Sequence, residues 1–131
     1  MLLRRHWHIE DGPECVLCPT QQLESRDHLF FQCNFSARIW NYLQIDWNGG
    51  SNMVDIAQAA RRGFQQPFFS EVVFVAWWNI WAIRNAKVFH HERPSFARWK
   101  EGFVHDLTLL GYRIKHKFKD DFFRWIDFLP P

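Results

Sequence analysis

Glu14-Cys15-Val16-Leu17-Cys18 and, after nine residues beyond Cys18, His28-Leu29-Phe30-Phe31-Gln32-Cys33 make a C-x2-C-x9-H-x4-C array that takes up all three cysteines of the chain. Thiolate and imidazole are strong Zn²⁺ ligands, and a closed structural zinc site uses four such donors in a tetrahedron. The two-residue gap between Cys15 and Cys18 suits a tight turn that aims both sulfurs at one ion. Pro13 and Pro19 bracket it, and neither sustains a regular element. His28 and Cys33 lie five positions apart, about 140° out of phase on a regular helix. A helical turn must therefore begin near His28 and break before Cys33. Paired Cys/His spacings of this kind read as zinc sites.

Other readings of these residues fit less well. A redox Cys-x-x-Cys pair would leave Cys33 idle, and no βαβ pattern surrounds it. A disulfide framework would strand one cysteine of three. Met1-Leu2-Leu3 runs into Arg4-Arg5, too short for the apolar region of a secretory signal. Asn34-Phe35-Ser36 matches a glycosylation sequon only formally, because it abuts the metal array. A reducing compartment, cytoplasm or nucleus, is expected. His6 and His8 are further imidazoles within reach of the array, but adding them would exceed four ligands.

Outward from the array, 131 residues are one domain's worth of chain. Eight Trp and fourteen Phe argue for a packed core, while a net charge of +2 gives no global field to draw in polyanions. The longest apolar stretch, Phe68 to Ile83, contains Ser70, Glu71 and Asn79 and is too short and polar for a membrane span. Residues 1–45 are expected to form a zinc-binding segment with its following helix, and 46–131 a helical body without an independent second domain.

Within that frame, residues 1–9 read as the end of a helix. Asn34 is the expected N-cap of a helix with Phe35, Ile39, Tyr42 and Leu43 on one face. Trp47 to Ser51 is a break. A short helix capped by Ser51 or Asn52 follows, with Val54, Ala57, Ala60 and Phe64 inward. Phe68 to Phe89 carries two apolar stripes, Val73/Trp77/Ile80/Val88 and Phe74/Trp78/Trp81/Asn85, which predicts a central helix packed on both sides. Ser95 caps a helix whose apolar steps run from Phe96 through Trp99, Phe103, Leu107, Leu110 and Ile114 to Phe118. A last helix is expected from Asp120 to Phe128. The fold class is all-α: a small helical domain with an N-terminal CCHC zinc loop.

The stretch Cys15-Val16-Leu17-Cys18 … Glu24-Ser25-Arg26-Asp27-His28-Leu29-Phe30-Phe31-Gln32-Cys33 … Ile39-Trp40 resembles the zinc-binding domain that follows the reverse transcriptase in plant LINE-type (non-LTR) retrotransposons. Trp78-Asn79-Ile80-Trp81-Ala82-Ile83-Arg84-Asn85 looks like the W-x-I-W-x-x-R-N helix found downstream in those elements. The resemblance implies that Cys15, Cys18, His28 and Cys33 hold a structural Zn²⁺, and that the module contacts RNA or single-stranded DNA. Against the family pattern the chain reads as N-terminally truncated, with apolar surface near Trp7 and Ile9 uncovered. Polymerase and endonuclease motifs are absent from it.

Candidate nucleic-acid contacts are Arg4, Arg5, Trp7 and Arg26 near the metal, and a second cluster of Arg113, Lys115, Lys117 and Lys119. Arg4 and Arg5 read first as an ordinary solvated helix end, and the lysines more strongly still as ordinary cations at a helix C-terminus, where the macrodipole favours them. Phe30, Phe31 and Trp40 read first as core, as do Trp77, Trp78 and Trp81. Two alternatives to nucleic-acid binding stand beside it: a protein-interaction module or homodimer joined through apolar surface, and a retroelement remnant without function. An enzyme is not expected. Four protein ligands leave a zinc no open position for water, and His8-Ile9-Glu10 sits too close to Cys15 for a deaminase signature.

Overall fold

Apolar residues recurring at three and four positions fold into helix from Asn34 onward, and the breaks fall at glycines, prolines and helix-capping side chains. The computed structural model describes residues 14–17 and 23–131. Among these are a π-helical turn, His28–Gln32, and five α-helices: α1 Asn34–Leu43, α2 Met53–Phe64, α3 Phe69–His90, α4 Phe96–Gly111 and α5 His116–Asp127. The described residues form no strand, only an isolated antiparallel bridge between Glu14 and Leu23. The expected all-α class with an N-terminal metal loop holds. The helix end expected over residues 1–9 lies outside the described residues.

α1 starts one residue earlier than an Asn34 cap requires. Cys33 occupies the capping position with an extended backbone (φ −59°, ψ 141°), while Asn34 is the first helical residue. The thiol of Cys33 is turned inward and fully buried, which fixes where the chain leaves the preceding turn. α2 is capped as expected by Asn52, whose side-chain oxygen accepts the Asp55 N–H at 3.0 Å. Its inward face differs from the expected one. Ala60 is buried and Ile56 and Phe64 are half-buried, while Val54 and Ala57 are exposed. Phe64 sets this register, its ring edge-on to Phe69 at 5.6 Å and Trp125 at 5.4 Å.

α3 is the central helix, but only part of its circumference is covered. Val72, Val73, Ala76, Ile80 and Ile83 are buried, whereas Phe74 and Trp78 of the second stripe are 63% and 57% exposed. α4 covers one flank. Its Trp99 indole donates to the Ala76 carbonyl at 3.2 Å and stacks on Phe103 at 4.7 Å. On the same flank Gly102 lies against Asn79, where a Cβ would overlap the amide oxygen. Asn79 is buried and donates to the Val75 carbonyl at 3.0 Å and to Asp106 at 3.1 Å.

The long amphipathic pattern through Phe118 does not form one helix. α4 ends at Gly111, and α5 begins at His116, four residues before the expected Asp120 start. A Cβ on Gly111 would stand 2.6 Å from Phe123 and 3.0 Å from Phe122. The missing side chain is what lets α5 fold back and drive Phe122 into the core, 4.9 Å from the Phe68 ring. The C-terminal tail is tied to α1, since the Tyr42 hydroxyl donates to the Pro130 carbonyl at 2.6 Å. No helix among the described residues is long and apolar enough to cross a membrane.

Candidate metal centre

The bridge between Glu14 and Leu23 closes the base of a loop that carries Cys15 at one end. Beyond it, Ser25 starts a helical turn by accepting the His28 N–H on its hydroxyl at 3.0 Å and the Leu29 N–H on its carbonyl at 2.8 Å. The turn then widens. The Cys33 N–H donates to the His28 carbonyl at 2.6 Å, an i to i+5 bond. A π-turn brings residues five apart nearly into line, which a regular helix cannot do. It is the local solution to the phase problem posed by the His28–Cys33 spacing.

Widening a turn detaches carbonyls from the helical ladder, and here α1 collects them. The Ser36 hydroxyl donates to the Leu29 carbonyl, and the Trp40 indole donates to the Phe30 carbonyl at 2.7 Å. Both donors are buried. α1 is thereby bolted to the turn that presents His28 and Cys33. Satisfying each backbone group is obligatory in so enclosed a place.

The result is a compact donor set. Cys15, His28 and Cys33 are all buried, and their ligand atoms lie within 4.8 Å of one another. The two sulfurs are 3.8 Å apart. Two thiolates each about 2.3 Å from a tetrahedral zinc stand about 3.8 Å apart, so the spacing suits the ion. It also lies far beyond the roughly 2.05 Å of a disulfide. The Leu17 N–H points at the Cys15 sulfur from 3.4 Å, the kind of supporting bond that steadies a metal-bound thiolate.

The hydrogen bond with Cys33, then burial, hold the Cys15 thiol well above the usual thiol range, against the opposing pull of the Leu17 N–H. Without a cation such a pair stays protonated, whereas a coordinated metal removes the proton outright. Burial lowers the pKa of His28, with Glu24 acting weakly in the opposite direction. Neutral imidazole is the ligating form. The site fits structural zinc: three buried N/S donors, correctly spaced, with a built second layer.

Cys18, the remaining donor of the array, lies outside the described residues, as do Arg4, Arg5, Trp7, His6 and His8. The uncovered apolar surface expected near Trp7 and Ile9 lies there too. Arg26 is exposed on the turn leading to His28. Arg113, Lys115 and Lys117 are exposed and Lys119 half-buried, all at the junction of α4 and α5 and on different elements from the metal cluster. The macrodipole explanation for the lysines does not survive. Lys115 is the N-cap of α5 and Lys117 and Lys119 fall in its first turns, the end where cations are disfavoured.

Of the three aromatics expected in the core, Trp40 is buried, while Phe30 and Phe31 are half-buried, in one aromatic cluster with Trp47 and Trp77. Phe31 meets Trp47 at 5.1 Å and Trp77 at 5.7 Å, both edge-on. Trp78 is not core.

One pair escaped the sequence reading as a pair. Arg84 of α3 is fully buried and clasps Glu24, with Nη2 2.9 Å and Nε 3.2 Å from the same carboxylate oxygen. Both side chains are 1% exposed. Arg84 also donates to the Asn85 side chain at 3.1 Å and lies over the Trp81 ring. The available signal was a lone arginine on an apolar helix and a lone acid four residues before His28. Nothing local connects residues sixty apart. The pair locks the metal loop onto the central helix, which gives the Arg84-Asn85 portion of the Trp78-to-Asn85 stretch its role.

Residues 1–40 match the family model for zinc-binding in reverse transcriptase. No curated protein and no solved structure matches the chain. The match ends at Trp40, the residue whose indole fastens α1 to the π-turn, so the Trp78-to-Asn85 stretch stands outside it. Over residues 1–40, which carry Cys15, His28 and Cys33, the chain is similar to that zinc-binding family, and the clustered donors fit a structural zinc.

Proposed function

We propose that this chain is a non-catalytic, zinc-stabilised nucleic-acid-binding module derived from a non-LTR retrotransposon of the plant LINE type. In this reading Cys15, Cys18, His28 and Cys33 close a CCHC site around one structural Zn²⁺, with no position left for a reactive water. Residues 1–45 and 46–131 act as one unit, a view supported by the buried Glu24–Arg84 pair that crosses between them. The thiols suit a reducing compartment, nucleus or cytoplasm.

The observation that carries nucleic-acid binding is the placement of Lys115, Lys117 and Lys119 at the N-terminus of α5, beside Arg113. Cations there work against the helix dipole by about 0.3–1 kcal/mol each. A local polyanion would compensate that cost. A chain of net charge +2 has few cations to spare for such a cluster. Single-stranded RNA and DNA are the ligands to try, with Arg4, Arg5, Trp7 and Arg26 as a second contact region.

The test is a fluorescence-anisotropy titration of the zinc-loaded chain with single-stranded RNA and DNA at two salt concentrations. Three phosphate contacts give a salt slope of about −2, or roughly 20-fold weaker binding between 50 and 200 mM salt. Substituting the three lysines by Gln should remove that slope. Absence of salt-sensitive binding in the parent chain refutes the reading. A second reading, association with protein through apolar surface, draws its support from the exposure of Phe74 and Trp78.

A further inference from the structure

The uncovered stripe of α3 does not stand alone. Phe74 and Trp78 line a groove of about 680 Å³ together with Leu109 and Tyr112 from the end of α4. Leu109 is 56% and Tyr112 65% exposed, so four large apolar side chains face solvent in one place. A buried Phe, Tyr or Trp side chain covers about 150–250 Å². At these exposures the three aromatics offer roughly 300–450 Å², about half of the ~800 Å² that each partner contributes to a standard interface.

The charges of the groove are Asp106 and Arg113, one acid and one base seven residues apart. Asp106 is held in place by the Asn79 amide at 3.1 Å. Arg113 makes no ion pair among the described residues. An oligonucleotide laid along this groove would meet the Asp106 carboxylate as well as the Arg113 guanidinium. A second copy of the chain carries the matching pair already. In a two-fold interface residue i meets j while j meets i. Reversing the direction of the partner sets Asp106 of each copy against Arg113 of the other, with the aromatic residues between.

We infer that the α3–α4 groove is the surface through which two copies of this chain associate about a two-fold axis. The association is weak, in keeping with its area; it shares Arg113 with the proposed nucleic-acid cluster but uses none of Lys115, Lys117 and Lys119. The metal cluster lies on other elements and stays outside the interface.

Sedimentation of the zinc-loaded chain from about 1 µM to about 1 mM, the range spanned by small interfaces, should reveal a monomer–dimer equilibrium. W78E should abolish it. Like charges brought together are strongly unfavourable, so D106R and R113D should each weaken it about tenfold or more. The decisive measurement mixes the two single variants in equal amounts. D106R against R113D restores both opposite-charge pairs, so the mixture should form a heterodimer with close to parental affinity. Melting curves establish that each variant is folded, and R113D, which removes no described contact, serves as the fold-neutral case. A parent chain that stays monomeric overturns the inference, including where an amphipathic peptide or an oligonucleotide binds the parent chain but not W78E. So does a dimer that persists in W78E, or a mixture that fails to recover.

Discussion

The two ends of this molecule are held by different physics. At the metal end, the described residues between 14 and 45 contain one π-turn and one ten-residue helix. Cohesion there comes from a few strong, directional elements: three clustered donors, two side-chain bonds to loose carbonyls, and a buried ion pair. In the body, α3 and α4 pack along their length through Val72, Ala76, Ile80, Trp99, Phe103 and Leu107, with polar bonds between them only from the Trp99 indole and around Asn79 among the described residues. A short segment cannot bury enough apolar surface to offset its conformational entropy, so it depends on bonds whose loss is abrupt. Long helices spread the same requirement over many contacts, each individually dispensable. That arrangement also leaves spare apolar surface, as Phe74 and Trp78 demonstrate.

Metal removal should separate the two ends most sharply. Structural zinc contributes about 10–16 kcal/mol in finger peptides at neutral pH. Chelation, or Cys33→Ser, should therefore unfold residues 14–45, while amides of α3 and α4 keep measurable hydrogen-exchange protection. Equal loss of protection across both regions would erase the contrast. Unchanged melting with chelator, together with no zinc by elemental analysis, would remove the metal from the account altogether.

The next effect is that of the ion pair joining the ends. Arg84→Met leaves the Glu24 carboxylate buried and uncompensated and should cost about 3–5 kcal/mol by urea denaturation. Combining it with Glu24→Leu should recover most of that loss, since a buried pair is worth little against well-packed apolar groups. Failure of the double variant to recover would mean that Glu24 also supports the metal ligands directly. Smaller again is Gly102→Ala, within the body. Helix propensity alone predicts a gain of about 1 kcal/mol. Overlap with Asn79 should reverse the sign, giving a net loss of about 1 kcal/mol, at the low end for overpacking. A stabilised variant would mean that the Asn79–Asp106 bond contributes nothing to the α3–α4 seam.

Much of the metal end was legible because its signals are local. The ligand spacing, the phase problem between His28 and Cys33, and the presence of Trp40 on the following helix all lie within one short stretch. The π-turn that resolves the phase problem was not foreseeable. It depends on Ser36 and Trp40 reaching back to carbonyls that only the folded chain brings near. Similarly, Asn52 and Ser95 were readable as caps because an N-cap acts within three residues.

The amino-acid sequence by itself determined the all-α class, the bounds of most helices and the donor set that suits zinc, because periodicity, capping and ligand spacing are properties of neighbouring residues. Tertiary structure alone decided which apolar stripe of α3 is covered, where the α4 pattern breaks at Gly111, and that Arg84 meets Glu24. Periodicity reports that a face is apolar but not whether another element lies against it. The lysines at α5 changed meaning for the same reason: moving a helix start by four residues exchanges one pole of its dipole for the other.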